Sequence, residues 1–387
     1  MNRERQKELD KFRGITRDYL KLLIAIQESP LATLDWLAKR TKTSKPTLAK
    51  RLAILEGSHP DRMFANDPEQ GRVFSVAPIL SYHNLGFEYF GTIIETNTLK
   101  QTKKLEKLIG SHPYIRHRSR CYGAANGLLL QFRYPEGSRG FIIEFLERLV
   151  ADKIVIAYHP LASDQTSPVY TSLNAKGWDP SSLTWDFDWD DWYHKEGTTT
   201  PLTKPSGPSG KALSWLTKKD IYLINEALTS SRRKNKEILI SLREKGVEFT
   251  PQTFSRRYAT LKEECFIRYR TFITPTIFDV YNTVILTGQG TRKYLRMLAS
   301  RLDTHPIPFG STMRIEGNNL FWYIRLQGAH LSKLISRVSS DLENLSVFLL
   351  DYSESMRYLL EPDAYNETKH SWIQDENFMI EDVLRNM

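Results

Sequence analysis

The sequence is poor in cysteine: 387 residues hold only Cys121 and Cys265, far apart and in no metal-ligand spacing. Buried free thiols are expected there, with neither a metal nor a redox role. Long apolar runs are missing too, and nothing approaches the roughly 18 residues that span a bilayer. The N-terminal stretch MNRERQKELDKFRG is charged throughout, with no apolar segment of the signal-peptide kind behind it. A cytoplasmic location with no membrane partner is therefore expected. Catalytic signatures are thin. The nine histidines are scattered without H-E-x-x-H or C-x-x-C partners, and no Ser-His-Asp or paired-carboxylate set can be assigned. GQGTRK (288–293) lacks the G-x-x-x-x-G-K spacing and reads as a glycine-relaxed helix start. Metals, cofactors and enzymatic activity are accordingly not expected.

What is present describes a globular chain. The hydrophobic fraction of 40% and aromatic fraction of 11% are too high for disorder. The length fits two to four domains of about 100–150 residues. The net charge of +9 is localised: residues 1–60 carry 13 Lys/Arg against 7 Asp/Glu, residues 211–275 carry 14 against 7, and the remainder is net acidic. Paired basic segments of this kind point to a polyanionic partner.

Those two segments share a pattern. Ser44 to Ser58 (SKPTLAKRLAILEGS) and Thr250 to Glu264 (TPQTFSRRYATLKEE) align at an offset of 206, with an N-cap hydroxyl, proline in the first turn and basic pairs in register. Each is preceded by two amphipathic helices, so each reads as a helix-turn-helix. RMF, the turn PEQGR and VFSV then read as a two-stranded wing, which shrinks to the strand CFIRYRTFI in the second copy.

Each helical module is followed by a β-α-β-β-α-β pattern, over 86–158 and 277–352, in register at an offset near 192. Tryptophan-rich acidic segments trail both, SSLTWDFDWDDW (181–192) and KHSWIQDENFMI (369–380), and are expected to dock their indoles on the sheets. TTTPLTKPSGPSGK (198–211) is the flexible linker. The division that follows is 1–80, 86–158, 159–211 (arm and linker), 212–275, 277–352 and 353–387 (C-terminal arm).

A winged helix-turn-helix joined to such a sheet domain resembles the Lrp/AsnC (feast/famine) family of transcription regulators, here as two tandem copies. The resemblance implies an α+β fold: two winged helix-turn-helix domains and two ferredoxin-like βαββαβ (RAM-type) domains, paired face to face as an intrachain pseudo-dimer. It also implies a sequence-specific regulator binding double-stranded DNA at a pseudo-palindrome, and further association as a homodimer or higher oligomer. The DNA contacts it implies are Lys45, Thr47, Lys50 and Arg51, Arg62 and Arg72 beside the wing, and Gln252, Thr253, Ser255, Arg256 and Arg257. The family's effector pocket lies near the turn between the middle strands, occupied here by Gly123, Asn126 and Gly127 and by Gly317, Asn318 and Asn319. The aspartate usual there is absent, so a small-molecule effector stays unidentified.

A non-specific architectural DNA-binding protein is one alternative reading, and sirohaem decarboxylases of tetrapyrrole biosynthesis, which resemble the same architecture, supply the other. They would need basic and histidine residues facing a polycarboxylate, and YIRHRSR (114–120) offers Arg116, His117, Arg118 and Arg120. Strand alternation puts the three arginines on one face and His117 on the other.

Overall fold

The computed structural model describes residues 15–57, 72–163, 167–179, 181–197, 207–278 and 280–385. The first module holds helices α1 (Arg17–Glu28), α2 (Leu34–Thr41) and α3 (Lys45–Leu55), each opened by a hydroxyl cap from Thr16, Thr33 or Ser44. Strand β1 (Phe74–Leu80) leads into the first sheet unit: β2 (Phe87–Glu95), α4 (Leu99–Ile109), β3 (Ile115–Gly123), β4 (Gly127–Pro135), α5 (Arg139–Ala151) and β5 (Ala157–Pro160). An arm follows with β6 (Val169–Thr171), β7 (Trp178–Asp179), β8 (Thr184–Trp185) and α6 (Trp189–His194). The second module holds α7 (Lys218–Thr229), α8 (Asn235–Glu244), α9 (Pro251–Glu264) and β9 (Phe266–Ile273). The second sheet unit is β10 (Asn282–Gln289), α10 (Arg292–Thr304), β11 (Gly310–Glu316), β12 (Asn319–Leu326), α11 (Gly328–Val338) and β13 (Glu343–Leu350), and a short β14 (Met356–Arg357) begins the C-terminal arm.

The fold is α+β, with tandem Lrp-like halves. Two features differ from the sequence expectation. The strand read as half of a first wing does not pair locally: β1 runs antiparallel to β9, Val76 opposite Thr271, so the two helical modules share one ribbon. The remainder of that wing lies outside the described residues. The sheet units also do more than face each other. β3 pairs with β13 through Cys121, Tyr122 and Gly123 opposite Leu350, Leu349 and Phe348, which makes one continuous sheet in the order β5-β2-β4-β3-β13-β10-β12-β11-β6. That sheet folds back on itself, because Ile93, Cys121 and Leu129 of the first unit are buried in one cluster with Ile285, Phe321, Phe348 and Leu350 of the second.

The arms cross between the halves. The segment after the first sheet unit buries Trp178, Trp185, Trp189 and Trp192 in the core of the second, against Phe309 and Trp322. The segment after the second buries Trp372 in the core of the first, its ring 4.5 Å from Phe87 and its Nε1 donating to the Leu85 carbonyl at 2.7 Å. The helical modules cross likewise: α1–α3 share a core with the second sheet unit, α7–α9 with the first. Each half is completed by the other, so unfolding of the chain as a unit is expected. Trp372→Ala removes a fully enclosed indole and is expected to cost about 3–5 kcal/mol. In a denaturant titration it should shift one transition spanning both halves; two separated transitions would contradict the crossed packing.

Candidate functional site

The recognition helices come out less open than their sequence implies. In α3, Lys45 Nζ lies 2.5 Å from Asp35 and Arg51 2.6 Å from Asp18, while the Thr47 hydroxyl meets the Ser44 cap at 2.8 Å; Lys50 is exposed. Arg72 donates to the Thr229 carbonyl at 3.5 Å, and Arg62 lies outside the described residues. In α9, Gln252, Ser255 and Arg256 are exposed, Thr253 is tied to the Thr250 cap, and Ser255 Oγ also bonds the Pro251 carbonyl. Arg257 requires a correction. It turns inward, binding the Asp220 carboxyl of α7, which is fully buried, and the Trp215 carbonyl at 2.9 Å, so a buried acid and a basic side chain satisfy each other. The larger open groove beside α1, about 670 Å3, contains Arg40 and Arg51, and both are already paired, with Glu28 and Asp18.

The turn residues are not brought together into a pocket with the cleft described below. Gly123 sits in the seam with φ +115°, where a Cβ would lie 2.7 Å from the Val347 carbonyl oxygen. Gly127 is packed against the Ile94 carbonyl, and the Asn126 carbonyl accepts from Thr96. Gly317, Asn318 and Asn319 close the exposed β11–β12 hairpin, Gly317 at φ +61°. All six act as turn and register residues here.

A different site forms where the sheet folds over. Alternation along β2, β3 and β4 sends Tyr89, His117, Gln131 and Arg133 to the inner face, opposite Thr312 and Arg314 of β11 and Tyr323 of β12. A cleft of about 260 Å3 lies between them, also lined by Arg116, Tyr170 and Arg357. The arginines of YIRHRSR divide in a way strict alternation did not foresee. Arg118 and Arg120 face the helices, where Glu106 of α4 binds them at 2.5 and 2.7 Å. A register shift between Ile115 and His117 turns Arg116 off that face and into the cleft beside His117.

The cleft's electrostatics are one-sided. No acid lines it. Arg116 donates through Nη1 to the Ile115 and Leu359 carbonyls, both at 3.0 Å, while its buried Nε and Nη2 have no partner. Burial pushes its pKa down to about 10, and burial with neighbouring cations also depresses that of Arg357. Arg314 and Arg133 lie over the Tyr89 ring, 3.8 and 4.9 Å from its centre, and Gln131 donates to the Tyr89 hydroxyl at 3.2 Å. Burial raises the Tyr89 pKa. His117 is buried, its pKa lowered to about 3 by burial first and then by Arg357 and Arg325. Chemically, such a set can receive carboxylates, whose charge would relieve the mutual repulsion. Among the described residues no cluster could hold a metal ion, and no helix is long and apolar enough to cross a membrane.

No family model matches the chain, and no curated protein matches it in sequence. Solved structures do match in fold. The siroheme decarboxylase NirDL aligns over 96% of this chain and 98% of its own, at 13% identity and a TM-score of 0.50. NirDL in complex with an iron-uroporphyrin III analogue aligns over 86% and 91%, at 13% identity and a TM-score of 0.48. An AsnC family transcriptional regulator from Agrobacterium tumefaciens covers 38% of this chain and 88% of its own, at 16% identity and a TM-score of 0.29. These likenesses concern the fold. The expectation of a non-enzyme is nevertheless overturned, because the full-length match is to an enzyme.

Burial of neutral histidine has a consequence for stability. His117 and the core residue His112 both have pKa values near 3, against an ordinary value of 6.5. The unfolded chain takes up protons at these residues below pH 6.5 and the folded chain does not, so stability present above that pH is lost as pH falls towards 3. His117→Gln removes one of the two groups and should flatten the fall in melting temperature between pH 7 and pH 4. An unchanged slope would mean that His117 is not held neutral.

Proposed function

We propose that the chain is a decarboxylase of a sirohaem-type tetrapyrrole polycarboxylate, bound between the two sheets. The observation that carries this reading is the cleft in which Arg116, Arg133, Arg314 and Arg357 surround His117 and Tyr89, with no acid among its described lining residues. The full-length likeness to a siroheme decarboxylase supports it at the level of fold. Arginines hold the carboxylates that stay on the substrate, and they orient the ring by paired N–H···O contacts. The reacting carboxylate is stripped of water against the Tyr89 and Tyr323 rings, which favours its loss as neutral carbon dioxide. The C–C bond breaks with its electron pair left on the methylene carbon, and a proton fills that position. A carboxylate bound beside His117 favours the charged imidazole, and His117 is then the acid in place to supply the proton.

The test is anaerobic mixing with sirohaem. A shifted Soret band, followed by carbon dioxide release and the matching loss of product mass, is expected. Arg116→Leu should weaken binding by about tenfold or more. His117→Gln should leave binding nearly intact and slow turnover by about 10²–10⁴. An unperturbed Soret band at every concentration would end the proposal.

DNA binding remains as a second reading, favoured by the exposed Lys50, Gln252, Ser255 and Arg256 on helices in net-positive modules. Its signature would be oligonucleotide affinity that falls steeply with salt.

A further inference from the structure

One side chain of the second helical module holds the arm that runs beside the cleft. Asn225 lies in α7, buried, and its amide binds one residue of the C-terminal arm twice: Nδ2 donates to the Leu360 carbonyl at 2.8 Å and Oδ1 accepts from the Leu360 N–H at 3.0 Å. Few side chains besides a primary amide satisfy both backbone groups of a single residue in this way. Leu360 is itself buried in the core that α7 shares with the first sheet unit. Immediately before it, the arm runs along β3: Met356 and Arg357 pair with Arg118 and His117, and the Tyr358 N–H donates to the Arg116 carbonyl at 3.0 Å. The Leu359 carbonyl then accepts from Arg116 Nη1. Arg116 is thus held by backbone and side chain on one strap. With Nη1 occupied, Nε and Nη2 are left as the edge suited to a bidentate carboxylate contact.

We infer that Asn225 is a positioning residue for carboxylate binding: it fixes the arm whose Leu359 carbonyl aims the free edge of Arg116 into the cleft. The inference rests on the polycarboxylate reading of that cleft. It also gives the second helix-turn-helix a role needing no nucleic acid, because α7 serves as the wall to which the strap is fastened. Loss of the clamp leaves Leu359 free to drift, and Arg116 keeps its charge but loses its orientation. The effect must therefore pass through Arg116.

A double-mutant cycle on the full-length chain tests this, with uroporphyrin III as the probe and its Soret absorbance as the readout. Asn225→Leu is expected to weaken binding roughly tenfold, the effect of one misplaced charge-assisted contact. In an Arg116→Leu background the same change should weaken binding no further. Melting temperature should fall by a similar amount in both backgrounds, which separates positioning from general destabilisation. Should Asn225→Leu fail to fold, Asn225→Asp keeps the shape and the acceptor, loses the donor to Leu360, and enters the same cycle. Equal weakening in both backgrounds, or none in either, overturns the inference and leaves the polycarboxylate reading standing. Absence of binding by the unaltered chain overturns both.

Discussion

Contact between two apolar patches sets the distance on which the rest depends. Ile93 and Leu129 on one sheet face meet Ile285 and Phe321 on the other, beside a seam only three residue pairs long. Side chains at this closure are buried on both faces of the sheet, each worth about 1.5–3 kcal/mol relative to exposure. That burial offsets an arrangement that would otherwise push the sheets apart. Arg116, Arg133, Arg314 and Arg357 lie in one cleft with no acid among its described lining residues. Burial of Arg116 and Arg357 there carries a desolvation cost, seen in the lowered pKa of each. Two sheets held by a smaller apolar contact would spread and let water in.

Crossed packing makes the closure hard to undo. The tryptophan arm of the first half completes the second core, and Trp372 of the second half completes the first. Separating the sheets would pull indoles from their sites on both sides at once. The shared β1–β9 ribbon adds a third tie between the helical modules. Rigidity of this kind is what a site made of buried arginines requires, since each would relax towards solvent in a looser frame.

Local rules made much of this architecture legible. Helix N-caps at Ser44 and Thr250 with proline behind them, the 3.6-residue stripes and the glycine hairpins all follow from chemistry within a few residues. The site was legible only in part, for physical reasons. Period-two alternation put Arg116 with Arg118 and Arg120, and it holds for the latter two, which Glu106 secures on the helix side. The extra residue at Arg116 breaks the period, and nothing in YIRHRSR announces a bulge. Arg257 was misjudged for a related reason. Its position on α9 looks exposed by helical phase, yet its partner Asp220 lies 37 residues earlier, as the third residue of another helix, and only tertiary packing brings the two together. Arg133, Arg314 and Arg357 were missed because each is isolated in sequence and they converge only after the sheet folds over.

Covalent joining of the halves also explains the composition of the cleft. Register makes the inner positions equivalent: Gln131 pairs with His117 in one unit as Tyr323 pairs with Thr312 in the other. A symmetric dimer would place the same residue on both sides of its axis, so a histidine at this position would come as two, both crowded by the same arginines and both resisting protonation. Here one side keeps His117 and the other has Thr312, with Tyr323 facing the imidazole at 6.2 Å between ring centres. On the proposed reading, the side that supplies the acid and the side that only binds are thereby divided between the two halves. A substrate with carboxylates around its rim would meet unlike walls, and only the carboxylate lodged beside His117 would have a proton source within reach.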